Sequence, residues 1–415
     1  MKKINIYGTR ESALVFLLAN KDRIKVNKFI DGQISTEKMV DISYFDHIEQ
    51  YVAIPVLKAI NDLKQYYTVV ATSVRTYWVI KKVLEKLGFE EFVHFEYCAT
   101  FNKKIALVYG NCNAHGVATI LSFSKIFNEK YGFYPVQPTF ELYREGIPVA
   151  SQYSNKVLKK AALFLYQDVR LNNQYGPEFS SISLLNKVSC SCRKICIPNF
   201  VKLPEFLFPQ SQYIDAHITL LKCASQKDII SPFSSRDYFI DRYHERRKLY
   251  SLVNMICKDD VIDHNLIKDL FDLFIEKLSK RDKNWDVKTK NFILKNYKNH
   301  QLFYDLGHPS RYLLTYVSEE VLKILNMRDC CDLLEDSSIP VYRSFFSSSG
   351  RFVDLDYEEV PIYNSVFKSL NLEFSRQLMH QSYVKSEPFH SLSGVRTVED
   401  YVRDYMMFNY GKIIN

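Results

Sequence analysis

No apolar run in this 415-residue chain approaches the roughly 20 residues that cross a bilayer, so the sequence offers no transmembrane segment. It begins Met1-Lys-Lys-Ile-Asn-Ile-Tyr-Gly and moves directly into a strand, which reads as a soluble, cytoplasmic protein. No long block of Lys and Arg stands out, and a net charge of +8 is modest for this length, so no nucleic acid partner is expected. The same charge suits a small anionic ligand. A disulfide framework is also missing. The nine cysteines (98, 112, 190, 192, 196, 223, 257, 330 and 331) are odd in number and scattered, as befits reduced thiols. Cys190, Cys192 and Cys196 raise the question of zinc, but a fourth ligand is not obvious and Cys196 falls in an apparent strand, so no metal is expected. There is no internal repeat.

What the chain does have is apolar and aromatic mass. Hydrophobic residues make up 47% and charged residues 25%, ordinary for a globular protein, while 29 Tyr and 29 Phe predict a core rich in rings. At about 150 residues per domain, the length suggests two or three domains. Residues 1–102 alternate strands and helices: Ile4 to Tyr7, Glu11 to Asn20, Ile24 to Ile30, Pro55 to Gln65, Thr68 to Thr72 and Thr76 to Leu87. That alternation predicts a small parallel α/β domain, Rossmann-like in pattern. Its first turn, Tyr7-Gly-Thr-Arg-Glu-Ser-Ala13, holds one glycine where a dinucleotide fingerprint needs three, although Asp31 ends the second strand where a ribose-binding acid would stand. A structural or partner-binding domain is the plainer reading.

Residues 103–330 form a second, larger and helix-rich α/β domain. Its expected strands are Ile105 to Tyr109, Ala162 to Tyr166, Lys194 to Ile197 and Leu302 to Tyr304, each followed by polar or turn residues. Helical spacing covers Val117 to Phe127, Arg236 to Cys257, Leu266 to Leu278 and Val287 to Asn296, with dense charge on one side of the last three. Residues 331–415 read as a C-terminal extension packed on the second domain, with a flexible loop from Arg343 to Arg351 and a helix from Val398 to Phe408.

The chemistry-bearing residues follow strands of the second domain. Lys104-Ile-Ala-Leu-Val-Tyr-Gly-Asn-Cys-Asn-Ala-His-Gly116 is an apolar strand that ends at a glycine and presents Asn111, Cys112, Asn113 and His115 before a helix begins. Strand ends of this kind carry function in α/β proteins. At a helix N-terminus the dipole and open N–H groups lower a thiol pKa and hold an oxyanion. Gln167-Asp168, Pro198-Asn199 and Gly307-His-Pro-Ser-Arg311 follow other strand-like segments, and in a parallel sheet such positions can converge on one edge. Cys112 is then a candidate nucleophile with His308 or His115 as its base, and Asn111, Asn113 and Gln167 are uncharged donors for a carbonyl or sugar hydroxyl. Each has a plainer reading. Free cysteines are commonly buried structural residues, and His308 before Pro309 is equally a helix-start residue.

Five blocks occur in an order that carries more weight than any one alone: Gly110-Asn-Cys-Asn113; Phe164-Leu-Tyr-Gln167; Ile195-Cys-Ile-Pro-Asn199 with Phe208-Pro-Gln210; Tyr213-Ile-Asp-Ala-His-Ile218; and Phe303-Tyr-Asp-Leu-Gly-His-Pro-Ser310. Together they resemble the WcbI family, assigned to acetyl transfer in capsular polysaccharide biosynthesis, over Lys103 to Met327. The resemblance implies coenzyme A or acetyl-CoA as co-substrate, and transfer of acetyl to a hydroxyl of a bacterial capsular or surface polysaccharide or its precursor. It implies Cys112, His308 and Asn111 as catalytic residues. Asn113, His115, Gln167, Asn199, Ser310 and Arg311 are then the candidates for holding substrate or coenzyme A. The family's usual motif is Gly-Asn-Cys-Gln, so Asn113 is shorter by one methylene. A homo-oligomer is compatible with this reading.

Two rivals remain. A strand followed by Gly-Asn-Cys and a late His block is also the layout of SGNH-type esterases, which would make the second domain SGNH-like and the reaction a deacylation. The other rival is a non-catalytic glycan-assembly binding protein.

Overall fold

Ile4 and Ile6 are fully buried because their strand lies inside a six-stranded sheet. The computed structural model describes residues 1–9, 11–40, 52–173, 175–201, 203–209, 211–212, 236–303, 306–327, 361–374, 378–380 and 394–410. The first sheet contains β1 (Lys2–Tyr7), β2 (Ile24–Asp31), β3 (Lys38–Met39), β4 (Val52–Pro55), β5 (Tyr67–Val70) and β6 (Phe95–Tyr97), in the spatial order β3-β4-β2-β1-β5-β6. All pairs are parallel except β3 with β4. Its parallel strands, counted in chain order, lie 3-2-1-4-5, the order of a doubly wound dinucleotide fold.

The second sheet contains β7 (Lys104–Tyr109), β8 (Tyr131–Phe133), β9 (Ala161–Tyr166) and β10 (Arg193–Cys196), in the order β10-β9-β7-β8 and wholly parallel. β7 reads Ile-Ala-Leu-Val-Tyr after its lysine, and all five residues are buried, as expected of a strand covered on both faces. The chain runs from β7 outward to β8, then returns across β7 to β9. The strand order therefore reverses between β7 and β9, the position at which parallel α/β sheets bind ligands beyond the carboxyl ends of the strands.

The helix Cys112–Phe123 follows β7 and is buried almost all round, because helix Arg311–Ile324 covers its outer side. Gly116 permits that close approach, since a Cβ there would stand 2.9 Å from Leu314 Cδ1. One buried core runs from Tyr7 and Val70 of the first sheet through Tyr109 and Phe164 of the second to Tyr405 near the C-terminus. A smaller core, with Ile4, Ile6, Phe29 and Val69, fills another part of the first sheet. Each large apolar side chain so buried contributes about 1.5–3 kcal/mol.

The two sheets meet across a polar seam. Buried Glu91 accepts from Tyr77, Lys81 and, at 2.8 Å, Tyr134 Oη, while Trp78 Nε1 donates to Pro135 O at 2.9 Å. Within the C-terminal extension, Tyr363 and Tyr405 dock on the helices around residues 236–257. Tyr363 Oη donates to Asp237 Oδ1 at 3.0 Å, and Tyr405 Oη to Asp241 Oδ1 at 2.8 Å. Burial pushes the Asp237 carboxyl up to about 7, against the hydrogen bonds it accepts.

Several expected elements move. The helix placed over Val117–Phe127 begins five residues earlier, at Cys112, and stops at Ser124, whose hydroxyl caps the next helix Lys125–Lys130. The stretch Pro55–Gln65 starts as the end of β4 and becomes helical only at Ile60. Arg236–Cys257 divides into helices Tyr238–Tyr243 and Leu249–Cys257, because His244-Glu-Arg-Arg-Lys248 offers no apolar side to bury. Leu302 and Phe303 form no strand of the parallel sheet. Instead Ser310 N–H donates to Leu302 O at 2.8 Å and Phe303 bridges Pro309, closing a loop at whose base His308 stands next to Pro309. The block at 213–218, Gln210, Tyr304, Asp305 and the loop at 343–351 lie outside the described residues.

Candidate active site

The turn after β7 is shaped by Gly110, whose φ of +153° suits glycine and whose missing side chain leaves room for Gln167, since a Cβ would fall on Gln167 Oε1. Asn111 follows in extended conformation and caps the helix: its Oδ1 accepts from Asn113 N–H at 3.0 Å, and its own carbonyl accepts from Ala114 and His115. A cap of this kind contributes about 1 kcal/mol. Cys112 is thus the first residue of a twelve-residue helix, half-buried, with its thiol 3.6 Å from Asn113 Oδ1. A helix start leaves four N–H groups without intrahelical partners. With the next three engaged by Asn111, the Cys112 N–H is the one left without a partner among the described residues.

Three strand ends are tied into this turn. Gln167, past the end of β9, is 1% exposed; its Oε1 accepts from Asn111 N–H at 2.9 Å and its Nε2 donates to Pro198 O, beyond β10, at 2.8 Å. Both ends of the amide are spent on backbone. Gln167 therefore clamps the ends of β7, β9 and β10 together. Asn199 is half-buried and stands over the clamp, where its Oδ1 accepts from Asn111 Nδ2 at 3.3 Å and from Val201 N–H at 3.1 Å. Its Nδ2 has no partner among the described residues.

The fourth contributor comes from the 303–309 loop. Asn113 Nδ2 donates to Gly307 O at 3.0 Å, which fastens the residue before His308 to the start of the Cys112 helix. The asparagine that departs from the family's glutamine is the residue that makes this bond. His308 is half-buried beside it. Ser310 is 5% exposed and caps helix Arg311–Ile324 by accepting from Leu313 N–H at 3.5 Å, so its hydroxyl serves the fold; Arg311 is the first residue of that helix and half-buried.

His115 does not join the group. It is 4% exposed, neither ring nitrogen has a hydrogen bond among the described residues, and burial pushes its pKa down to about 3. A neutral imidazole sealed in the core is neither a base nor a ligand contact, although it lies one turn from Cys112. Two thiols near β10 are held as structural groups. Burial, reinforced by Asp168 and Asp286, pushes Cys196 up to about 12, and burial pushes Cys192 up to about 11, so both stay protonated and inert. No group of three or more metal-ligating side chains occurs among the described residues, and no helix among them is long and apolar enough to cross a membrane.

Sequence reasoning missed Arg281. It lies past the expected helix end at Leu278, but the helix runs to Asp282, and Arg281 Nη1 donates to Asn199 O and Val201 O, both at 3.0 Å. No periodicity in the sequence connects it to the strand ends.

The same order of residues is found in known proteins. A family model described as "Polysaccharide biosynthesis enzyme WcbI" matches residues 105–329, more than half of the chain. A solved structure of WcbI, described as a novel polysaccharide biosynthesis enzyme in its native form without a disulfide bond between coenzyme A and one of its cysteines, is similar in fold. The TM-score is 0.51 at 18% identity, over 74% of this chain and 90% of that one. No curated protein matches significantly. The matched residues begin at β7 and end just past helix Arg311–Ile324, so they enclose the Cys112 turn, the Gln167 clamp and the His308 loop, and the chain belongs to the WcbI family of polysaccharide biosynthesis enzymes.

Proposed function

We propose that this protein is a cytoplasmic, coenzyme A-dependent O-acetyltransferase that acetylates a hydroxyl of a bacterial capsular or surface polysaccharide or its precursor. The observation that carries the reading is the Asn113–Gly307 bond, which joins a thiol at a helix N-terminus to the loop bearing a histidine, at the switch point of a parallel sheet. Family membership, and the coenzyme A named with the WcbI structure, support it from outside the chain.

In the direct route His308 takes the proton from the acceptor hydroxyl as its oxygen attacks the thioester carbonyl. A C–O bond forms, the C–S bond breaks, and the proton passes from His308 to the departing thiolate. The Cys112 N–H, at the positive end of the helix, suits the oxyanion that develops on the carbonyl. Asn111 fixes that turn through its cap and its bond to Asn199. Asn199 Nδ2 is a second donor for the acyl or sugar oxygen. In the alternative ping-pong route Cys112 carries the acetyl group between donor and acceptor.

The test follows release of the coenzyme A thiol from acetyl-CoA in the presence of a surface-glycan precursor. Turnover that disappears in His308→Ala supports the proposal, and turnover unchanged in that variant contradicts it. Acetyl found on Cys112 after incubation with acetyl-CoA alone selects the ping-pong route, whereas a Cys112→Ser variant with near full activity excludes it. A second reading, an SGNH-type carbohydrate esterase, draws on the 2-1-3-4 order of the second sheet with its late histidine loop. Calorimetry separates the two, since an esterase of glycans has no need to bind acetyl-CoA.

A further inference from the structure

Asn199 is held in place by a residue 82 positions further along the chain. Arg281 Nη1 carries two hydrogens, and the carbonyls of Asn199 and Val201, each 3.0 Å away, take them both. One nitrogen thus ties the two ends of the 199–201 turn together. The support behind Arg281 is itself fixed. Asp282, the last residue of helix His264–Asp282, is buried, and its carboxylate accepts from Thr289 N–H at 2.9 Å and Lys290 N–H at 3.1 Å, which pins the helix end. Between the two carbonyls, the Phe200 ring makes edge-to-face contacts with Trp285 at 6.0 Å and Phe303 at 5.8 Å between centroids. The turn is therefore wedged between the segment after that helix and the loop that bears His308.

What this turn orients is one amide. Asn199 Oδ1 accepts from Val201 N–H at 3.1 Å and from Asn111 Nδ2 at 3.3 Å. A backbone N–H can only donate, so the oxygen is the branch that faces it, and in a planar amide this fixes the nitrogen on the other side. Asn199 Nδ2 is left without a partner among the described residues, on the residue whose oxygen meets the cap of the Cys112 helix.

We infer that Arg281 is a positioning residue of the acyl-transfer site: by holding the Asn199 and Val201 carbonyls, it fixes the direction in which Asn199 Nδ2 presents its hydrogens to the acyl or sugar oxygen. The inference deepens the acyl-transfer reading and rests on it for the identity of that oxygen. Arginine suits the task because its planar fork sets the two Nη1 hydrogens at fixed angles, one for each carbonyl. Loss of that hold acts on the rate, since a group displaced by about 1 Å from its productive place can cost about 10²-fold.

Steady-state release of the coenzyme A thiol from acetyl-CoA, with a surface-glycan precursor as acceptor, tests it on the full chain in Arg281→Met, Asn199→Ala and the double variant. Methionine keeps an apolar stem and loses the donors. Arg281→Met should lower kcat about tenfold or more with KM for acetyl-CoA within about twofold, and the double variant should match Asn199→Ala within about twofold, because the two residues act as one unit. An unchanged kcat in Arg281→Met, a loss confined to KM, or losses that multiply in the double variant overturn the inference. Hydrogen exchange reads the position without turnover. The Val201 amide, held by Asn199 Oδ1, should exchange about tenfold faster in Arg281→Met while the amides of β10 keep their rates. Equal exchange at Val201, or a rise that spreads through β10 as in a merely structural role, overturns the inference as well. If the wild type releases no thiol while exchange rises at Val201 alone, the acetyltransferase reading falls and the hold of Arg281 on Asn199 stands.

Discussion

Two sheets in one chain offer the same kind of topological switch point and treat it differently. In the first, the strand order reverses between β1 and β5, and Gly8 (φ +126°) fits there only because it lacks a Cβ, which would stand 2.5 Å from Ala71 O. Asp31, the acid in the ribose position, is already engaged: Thr9 Oγ1 donates to it at 2.7 Å and Gln33 N–H at 2.8 Å. In the second sheet the polar groups also bond to one another, but among the described residues a remainder is left over: the Cys112 N–H and the Asn199 Nδ2. Topology supplies a switch point in both sheets. What distinguishes them is whether the residues at the strand ends spend all of their hydrogen-bonding capacity on the protein.

The largest expected effect separates the two edges directly. His308→Ala should lower kcat for acetyl transfer about 10²–10⁴-fold, the usual cost of losing a general base, while Asp31→Asn should leave it within about twofold. Steady-state kinetics on the two variants checks this, and a comparable loss in Asp31→Asn would break the comparison. Next come the two turn glycines. Gly110→Ala and Gly8→Ala each force a side chain into a conformation that favours glycine and against a neighbouring atom, at about 1–3 kcal/mol in urea unfolding. Only Gly110→Ala should also lower kcat in the folded enzyme, because only it displaces Gln167 and the Asn111 cap.

His115 sharpens the boundary of the site. Its folded pKa of about 3 lies below the ordinary 6.5, so between those values the unfolded chain takes up a proton that the folded protein refuses. Stability from this source is full above pH 6.5 and falls as the pH drops, by about 2 kcal/mol at pH 5. His115→Leu removes that dependence. The difference in unfolding free energy between wild type and variant should therefore shift by about 2 kcal/mol in the variant's favour from pH 7 to pH 5, with no new inflection in the pH profile of kcat. The smallest effect is Thr9→Val, which takes one hydrogen bond from Asp31 and should cost about 1 kcal/mol of stability with transfer activity unchanged.

Much of this arrangement could be read from the chain, and the failures have physical causes. β7 was legible because five apolar residues in a row end at a glycine, and Gln167 because it follows a strand of the same kind. Their roles were not equally legible. Whether an amide faces a ligand or a backbone depends on what lies opposite, and Gln167 meets Asn111 and Pro198 from distant parts of the chain. β3, β6 and β8 have two or three residues each, too few to show a period. The helix start at Cys112 was hidden by four residues, Cys-Asn-Ala-His, with no apolar rhythm, though Asn111 is a good cap. Leu302 to Tyr304 reads as a strand because Leu302 and Phe303 are apolar, whereas the burial of these two serves the closing of a loop.

A crystal structure of the protein with coenzyme A tests the central claim most directly. The account predicts that the thiol end lies between Cys112 and His308, with its carbonyl-bearing arm over Asn199. Coenzyme A seated at the first sheet's edge, against Gly8 and Asp31, or bound with its thiol away from Cys112, would contradict it.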